Sequence, residues 1–146
     1  GLIVWEHPSD LLSAVILGLA VLFWVAGFDI IYACQDFEFD RNRKLNSVPV
    51  RLGVAGALRL AAVCHAVMLV CLLALPFMLP ADGTSLVLGW VYWTALLAVA
   101  GLLIFEHSLV RADDLTRVNQ AFFNVNVVIS MGLLFATTLD LWLAGA

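Results

Sequence analysis

Charged side chains are scarce in this sequence: of 146 residues, 12% are Asp, Glu, Lys or Arg, whereas 64% are hydrophobic. Four stretches contain no charged residue, at 11–28, 60–81, 83–105 and 118–139. Each reaches the length of about 18 residues that marks a candidate transmembrane helix, because such a helix satisfies its own backbone in lipid. This excess of hydrophobic over charged residues excludes a soluble globular domain. It predicts an all-α, polytopic transmembrane bundle with spans at about 9–35, 56–80, 84–106 and 117–142.

Cysteine is rare as well. Cys34, Cys64 and Cys71 lie in or beside the predicted spans, and their odd number and irregular spacing argue against a disulfide framework or a metal-binding cluster. We expect them to pack as small apolar side chains between helices. No repeat or low-complexity linker divides the chain, which predicts one transmembrane domain over residues 1–146. The chain begins at Gly1 rather than Met, and we expect its natural beginning to be missing.

Basic residues are absent from both ends of the chain and from the connection between the second and third spans. All seven Lys and Arg lie between the first and second charge-free stretches or between the third and fourth. Because basic residues beside spanning segments stay on the cytoplasmic side, both termini are predicted to lie outside. The outer ends carry the aromatic side chains expected at a headgroup boundary, namely Trp5, Trp90, Tyr92, Trp93 and Trp142. The net charge of −4 does not indicate nucleic acid as a partner, and the expected surroundings are a lipid bilayer.

A row of carboxylates lies at the end of the first span. On a helix that turns about 100° per residue, Asp29, Asp36 and Asp40 would fall within about 20° of one line, with Tyr32 beside them. Three carboxylates on one face repel one another, so they require bound cations or a solvated surface. Asp29 is followed by six uncharged residues and lies inside the apolar zone, where an ionisable side chain indicates function.

Asp36 and Asp40 are nearer the water and four residues apart. Mg²⁺ takes about six oxygen ligands and commonly binds through one or two carboxylates, waters and substrate phosphates. The pair is therefore predicted to hold Mg²⁺ together with a diphosphate. The alternative is a solvated acidic face at the membrane boundary.

A basic segment follows the acidic residues. It is expected to form a loop with a short cytoplasmic-face helix, capped by Asn46 or Ser47, with Pro49 in its first turn and Gly53 at its end. Candidates to bind diphosphate oxygens are Arg41, Arg43, Lys44 and Arg51. For each of them the alternative is a plain cytoplasmic anchor.

Polar side chains interrupt the later spans. Asn119, Asn124 and Asn126 open the last span, and amides at that depth need partners on neighbouring helices or on a ligand in a cavity. Asn119 and Asn124 are the candidates to line such a cavity. His65 lies within the second span, where a hydrogen-bonded packing role is favoured over proton transfer or metal binding. His107 is expected at the membrane interface.

The pattern Asp29-x-x-Tyr-Ala-x-x-Asp-x-x-x-Asp40, followed at 46–53 by Asn-Ser-Val-Pro-Val-Arg-Leu-Gly, resembles the second aspartate-rich motif of the UbiA superfamily of intramembrane prenyltransferases. It is most similar to the 4-hydroxybenzoate polyprenyltransferase branch, and the segment at 27–36 favours the menaquinone-related subgroup. The resemblance implies a nine-helix fold of which this chain is the C-terminal part. It also implies the bacterial inner membrane, with the acidic motif on the cytoplasmic side.

The resemblance implies that a polyprenyl diphosphate and an aromatic acid are joined with loss of diphosphate, in ubiquinone or menaquinone synthesis, with Mg²⁺ as cofactor. Asp36 and Asp40 would hold the metal, whereas Asp29 and Tyr32 would orient the acceptor or the allylic cation. Family members also carry an upstream Asn-Asp-x-x-Asp-x-x-x-Asp motif, which nothing in this sequence matches. We therefore expect that an N-terminal half bearing it is missing and that this chain alone is inactive.

Other classes of membrane protein compete with this interpretation. A small four-helix transporter would need its carboxylate near mid-membrane and open to both sides, whereas these acids gather at one end. The CDP-alcohol phosphotransferases require an Asp-Gly followed by Ala-Arg, a pattern that is absent here. A non-catalytic membrane subunit stays open on the sequence alone.

Overall fold

The computed structural model describes residues 8–78, 88–118 and 120–145. Its helices are α1 (Pro8–Ala33), α2 (Phe37–Asn42), α3 (Val48–Met78), α4 (Trp90–Leu109) and α5 (Asn126–Gly145). A 3₁₀ turn (Cys34–Asp36) joins α1 to α2, and a π-helical segment (Gln120–Val125) leads into α5. Within the described ranges, four helices are long and apolar enough to cross a membrane. The predicted all-α, polytopic class is thus confirmed.

The four spanning segments run over Leu11–Asn42, Val48–Met78, Trp90–Leu109 and Phe123–Leu143. Much of their apolar surface faces outward: Leu97 is 75% exposed, Ile104 73% and Phe135 70%. Exposing each such side chain to water would cost roughly 1.5–3 kcal/mol relative to an apolar environment. In a bilayer the same surface meets lipid, and the helices satisfy their own backbones.

Small residues allow the helices to approach closely. α1 packs mainly along α3, and α4 packs against α5. On α3, Ala57, Ala61 and Cys64 recur every three or four residues and are buried, so they form a shallow face for α1. Cys34 and Cys64 are buried thiols and Cys71 is half-buried, which agrees with the packing role expected of the cysteines.

The first turn of α3 is the short helix expected after the basic loop. Pro49 lies in it and is buried. At Gly53 the backbone leaves the helix (φ 70°, ψ 161°), a conformation that a side chain would strain, and α3 then continues in a new direction. The cap differs from the expectation, because the Ser47 hydroxyl forms no hydrogen bond in the described part of the chain. Its carbonyl instead accepts the Arg51 N–H at 3.1 Å.

The end of the bundle at which α4 begins is held by Asp140, which the sequence alone did not single out. This α5 side chain is 4% exposed, and its Oδ2 accepts the backbone N–H groups of Gly89 and Tyr92 at the start of α4. A carboxylate there accepts hydrogen bonds from amides that the helix leaves unpaired, and its negative charge is stabilised by the positive end of the helix dipole.

The aromatic belt predicted at this end is partly wrong. Tyr92 is 2% exposed, and its hydroxyl donates to the Leu72 carbonyl at 2.7 Å, joining α3 to α4 instead of facing headgroups. Trp90 and Trp142 are exposed as expected, at 72% and 68%. Trp5 lies outside the described residues.

Candidate functional site

The acidic row does not follow one continuous α-helix. α1 ends at Ala33, and Asp36 closes the 3₁₀ turn with φ −91° and ψ 6° before α2 begins. Because a 3₁₀ turn advances about 120° per residue instead of 100°, three such residues rotate α2 by about 60° relative to a continuous helix. The expectation of one straight line is therefore wrong. Asp29 lies on α1, whereas Asp40 lies on α2.

Inward packing decides which way the acidic residues face. Ile31 and Cys34 are fully buried against the neighbouring helices, which turns Asp29, Tyr32 and Asp36 outward. Asp29 and Asp36 are exposed, Tyr32 is 39% exposed and Asp40 is half-buried. Among the described residues, no three His, Cys, Asp or Glu side chains converge to hold a metal. The carboxylates therefore form an open surface instead of a closed cage.

The basic loop is fixed by the way α2 ends. Lys44 adopts a left-handed conformation (φ 55°) and donates its N–H to the Arg41 carbonyl at 3.2 Å. The Leu45 N–H donates to the Asp40 carbonyl at 2.9 Å. These two bonds form a Schellman motif, in which glycine is the usual left-handed residue. The motif reverses the chain directly after the acidic pair.

Four exposed cationic side chains lie in and just after this reversal. The Arg41 guanidinium lies 6.0 Å from the Phe37 ring centre, and that of Arg43 lies 5.5 Å from the Phe39 ring centre. These cation–π contacts restrict the arginines without neutralising them. The exposed candidates for binding an anion are Arg41, Arg43, Lys44 and Arg51.

A second polar cluster lies inside the bundle, and its centre is Glu106. It was not apparent from the sequence because the charge-free run at 83–105 stops one residue earlier, whereas α4 continues to Leu109. Glu106 is 0% exposed and His65 is 2% exposed. His107 was expected at the membrane interface; it lies half-buried against His65 in the last turn of α4, and its depth in the membrane stays a prediction. An acidic residue directly after an apolar run was the signal that could have revealed the cluster.

All four spanning helices contribute to this cluster. His65 Nδ1 lies 3.0 Å from His107 Nε2 and 3.8 Å from Glu106 Oε2. The Trp24 indole N–H donates to Asn126 Oδ1 at 2.9 Å, which joins α1 to α5. These contacts confirm the hydrogen-bonded role expected for His65 and the interhelical role expected for Asn126.

The α1 backbone makes room for the His65 ring at Gly27, since a Cβ there would overlap the imidazole. A cleft of about 260 Å³ opens beside this contact, between α1 and the last span. Trp24 and Asn126 form part of its wall. Asn124 is exposed, and Asn119 lies outside the described residues, so their cavity-lining role stays a prediction.

The fold and its polar groups define an integral membrane protein of four described spanning helices, with carboxylates and arginines gathered where the first span ends. The model of the UbiA prenyltransferase family matches residues 4–128, and the chain belongs to that family. No solved structure matches the chain.

Curated relatives agree with the family assignment. A 4-hydroxybenzoate octaprenyltransferase of Nitrosomonas europaea is 33% identical over 128 residues, which cover 84% of this chain and 40% of that protein. The protein of the same name from Nitrosomonas eutropha is 32% identical, with 84% and 41% covered. That from Chromohalobacter salexigens is 30% identical over 135 residues, with 90% and 41% covered. The chain spans about two fifths of the length of these relatives.

Proposed function

We propose that this chain forms part of an enzyme that transfers a polyprenyl group from a polyprenyl diphosphate to an aromatic acid of the 4-hydroxybenzoate type, in quinone biosynthesis. Its family and the names of its relatives support this activity. The observation that carries the proposal is the position of Asp36 and Asp40, which lie beside exposed cationic side chains at the end of a spanning helix. Such a surface suits a diphosphate whose prenyl tail remains in lipid.

The acidic pair suits a hard divalent cation. Both residues supply carboxylate oxygens, and the exposure of Asp36 leaves room for waters and phosphate oxygens to complete the shell that Mg²⁺ requires. Asp36 and Asp40 would hold the ion, which when bound would neutralise charge on the departing diphosphate.

The basic residues would bind the same diphosphate. Arg41 and Arg43 lie over aromatic rings, so less side-chain freedom is lost when they engage an anion. With Lys44 and Arg51 they would stabilise the negative charge that grows as the prenyl bond breaks. Each therefore acts on the leaving group and not on the acceptor.

Deeper in the membrane, Asp29 and Tyr32 would orient the aromatic acid or stabilise the allylic cation. Both lie on the exposed side of α1, and the helix around them is apolar, so water is excluded once a substrate covers the face. Asn119 and Asn124 would line the same chamber.

We further propose that residues 1–146 form one transmembrane domain that works with an N-terminal half carrying a first aspartate-rich motif. The outward-facing carboxylates would then form one side of a two-sided diphosphate site, and this chain alone would be inactive. The complete enzyme would lie in the bacterial inner membrane, with the acidic motif on the cytoplasmic side.

The Asp36→Asn variant of the complete protein tests the assignment. Loss of a metal ligand should lower Mg²⁺-dependent prenyl transfer by about 100-fold or more, since charge on the diphosphate would no longer be neutralised. Glu38→Gln is the matched control, because Glu38 is an exposed carboxylate two residues further on, in the first turn of α2, and should leave turnover within about twofold. Unchanged turnover in Asp36→Asn would contradict the metal site.

A further inference from the structure

Glu106 is a buried acid that the proposed transfer reaction does not use. It is 0% exposed, and neither carboxyl oxygen has a well-formed hydrogen bond within the part of the chain that the structure describes. Asn126 faces the carboxyl: its amide oxygen accepts the Trp24 indole N–H, so its NH₂ group is the neutral donor on the Glu106 side. An ionised carboxylate in such a place would have lost its water without gaining full compensation.

No hydrogen-bonded counter-ion reaches Glu106 in the described residues. The nearest basic atom is His65 Nδ1, at 3.8 Å from Oε2, whereas a charge-assisted bond from nitrogen to carboxylate is typically about 2.7–2.9 Å long. That nitrogen lies 3.0 Å from His107 Nε2 instead, so the two imidazoles bond to each other. The geometry describes a neutral imidazole pair beside a carboxyl and not a formed ion pair.

Among the described residues, the elements that face Glu106 add no other ionisable group. α1 presents the Trp24 indole and the backbone at Gly27, and the last span presents the Asn126 amide. The titratable groups recorded in this cluster are thus Glu106, His65 and His107. A single proton on the carboxyl makes the cluster electrically neutral and removes the cost of a buried charge.

We propose that Glu106 is an intramembrane proton-binding site, in which the carboxyl carries a proton at neutral pH and exchanges it through the His65–His107 pair. In the exchange the proton leaves a Glu106 oxygen for an imidazole nitrogen, so a carboxylate and an imidazolium form together and charge is conserved. His107 is half-buried and is followed by the exposed Ser108, so the imidazole pair leads toward the end of α4. The proposed proton site rests on these contacts and not on the proposed prenyl transfer.

The protonation state is measured by infrared spectroscopy of the membrane-reconstituted protein labelled with ¹³C-carboxyl glutamate. The label marks few positions, because the chain contains three glutamates, Glu6, Glu38 and Glu106. At pH 7 we expect a labelled C=O band of a protonated carboxyl, which is lost in Glu106→Gln and kept in Glu38→Gln. If the parent protein shows no such band, or if Glu106→Gln retains it, the proposal is overturned. The parent spectrum tests the site by itself, so the absence of the band there would overturn the proposal even if a variant fails to fold.

The exchange route is measured as the rate at which this band shifts after transfer from H₂O to D₂O. His107→Gln keeps a hydrogen-bonding side chain of similar size but cannot take up a proton, so exchange should slow by about tenfold or more. Ser108→Ala, a change at the neighbouring exposed position, should leave the rate unchanged. Equal rates in the parent and His107→Gln would overturn the imidazole route.

Discussion

Asp114, in the loop between α4 and α5, shows how single polar contacts set the charge of a side chain outside the membrane. Its Oδ1 accepts the Thr116 N–H at 3.0 Å and the Thr116 hydroxyl at 2.6 Å, and these bonds lower the Asp114 pKa below its usual range. Because the folded pKa is depressed, this stabilisation is complete above the unfolded pKa of about 3.9. It is lost as pH falls through the lower folded value.

We predict that Thr116→Ala raises the Asp114 pKa toward its usual range, because the hydroxyl bond disappears while the backbone bond can remain. The carboxyl ¹³C shift of Asp114, followed by NMR during acid titration, measures the change. Arg117→Gln is the control and should shift the midpoint less, since the charge of Arg117 is a smaller cause than the Thr116 bonds. An unchanged midpoint in Thr116→Ala would contradict the hydrogen-bond origin of the shift.

At the residue scale, sequence spacing identified the acidic and basic residues near the end of the first span but missed the buried acids. Asp36 and Asp40 were found because their spacing is visible along the chain. Glu106 and Asp140 were missed because each lies just outside a charge-free run, and only packing shows that both are buried. Tyr92 was misplaced for the same reason, since its position along the chain does not say which way it faces.

At the scale of helices, the contact between α1 and α3 depends on the missing side chain at Gly27. A Cβ there would overlap the His65 ring, whereas a Cβ at Gly18 on the same helix would meet nothing within 4 Å. We predict that Gly27→Ala lowers the free energy of unfolding by about 1–3 kcal/mol through overpacking. Gly18→Ala should raise it by up to about 1 kcal/mol, because alanine favours the helix. Unfolding in detergent, followed by circular dichroism, compares the two.

A double variant separates overpacking from a general defect of α1. If the clash with the ring is the cause, Gly27→Ala should cost less when His65 is already alanine, because the inserted methyl then fills vacated space. Equal costs in both backgrounds would show that Gly27 acts through something other than His65.

The junction of α4 and α5 gives a second prediction at this scale. Asp140→Ala removes the acceptor for the first amides of α4 and should lower the free energy of unfolding by about 0.5–2 kcal/mol. Asp140→Asn keeps an acceptor oxygen and should cost less. The control is Asp113→Ala, at a highly exposed position where the side chain forms a surface ion pair with Arg111. Thermal unfolding should show the largest loss of stability in Asp140→Ala, a smaller loss in Asp140→Asn and the smallest in Asp113→Ala. A loss in Asp113→Ala as large as in Asp140→Ala would contradict the capping role.

Helix boundaries were only partly predictable. The turn at Gly53 follows from local chemistry, since proline begins a helix and glycine accepts a positive φ. The 3₁₀ turn at Cys34–Asp36 and the π-helical segment at Gln120–Val125 carry no comparable signal. Both segments contact neighbouring helices, and tertiary packing can override local preference. The orientation of the acidic residues depends on the first of these departures.

At the scale of the whole molecule, composition alone predicted the class of fold. Long charge-free runs leave few structures other than spanning helices, because lipid offers no partner for an open backbone. Which helices pack together was not predictable, since apolar residues surround each span and lipid competes equally for every face. Leu97 and Phe135 are exposed whereas Leu96 and Ile129 on the same helices are buried, so the position around the helix, and not hydrophobicity, decides which residues form the contacts.

The orientation of this bundle in the membrane is the remaining prediction. Basic residues gather in the loops around Arg43 and Arg111, so both loops should be cytoplasmic and the start of α4 external. Cysteine is introduced at Arg43, Asp113 or Trp90, which are all exposed, and labelled with a membrane-impermeant maleimide. In intact cells we expect labelling at Trp90→Cys alone, and in inverted vesicles at the other two. The parent protein is the control, because its own thiols lie within spans, and labelling of Arg43→Cys in intact cells would place the acidic motif outside.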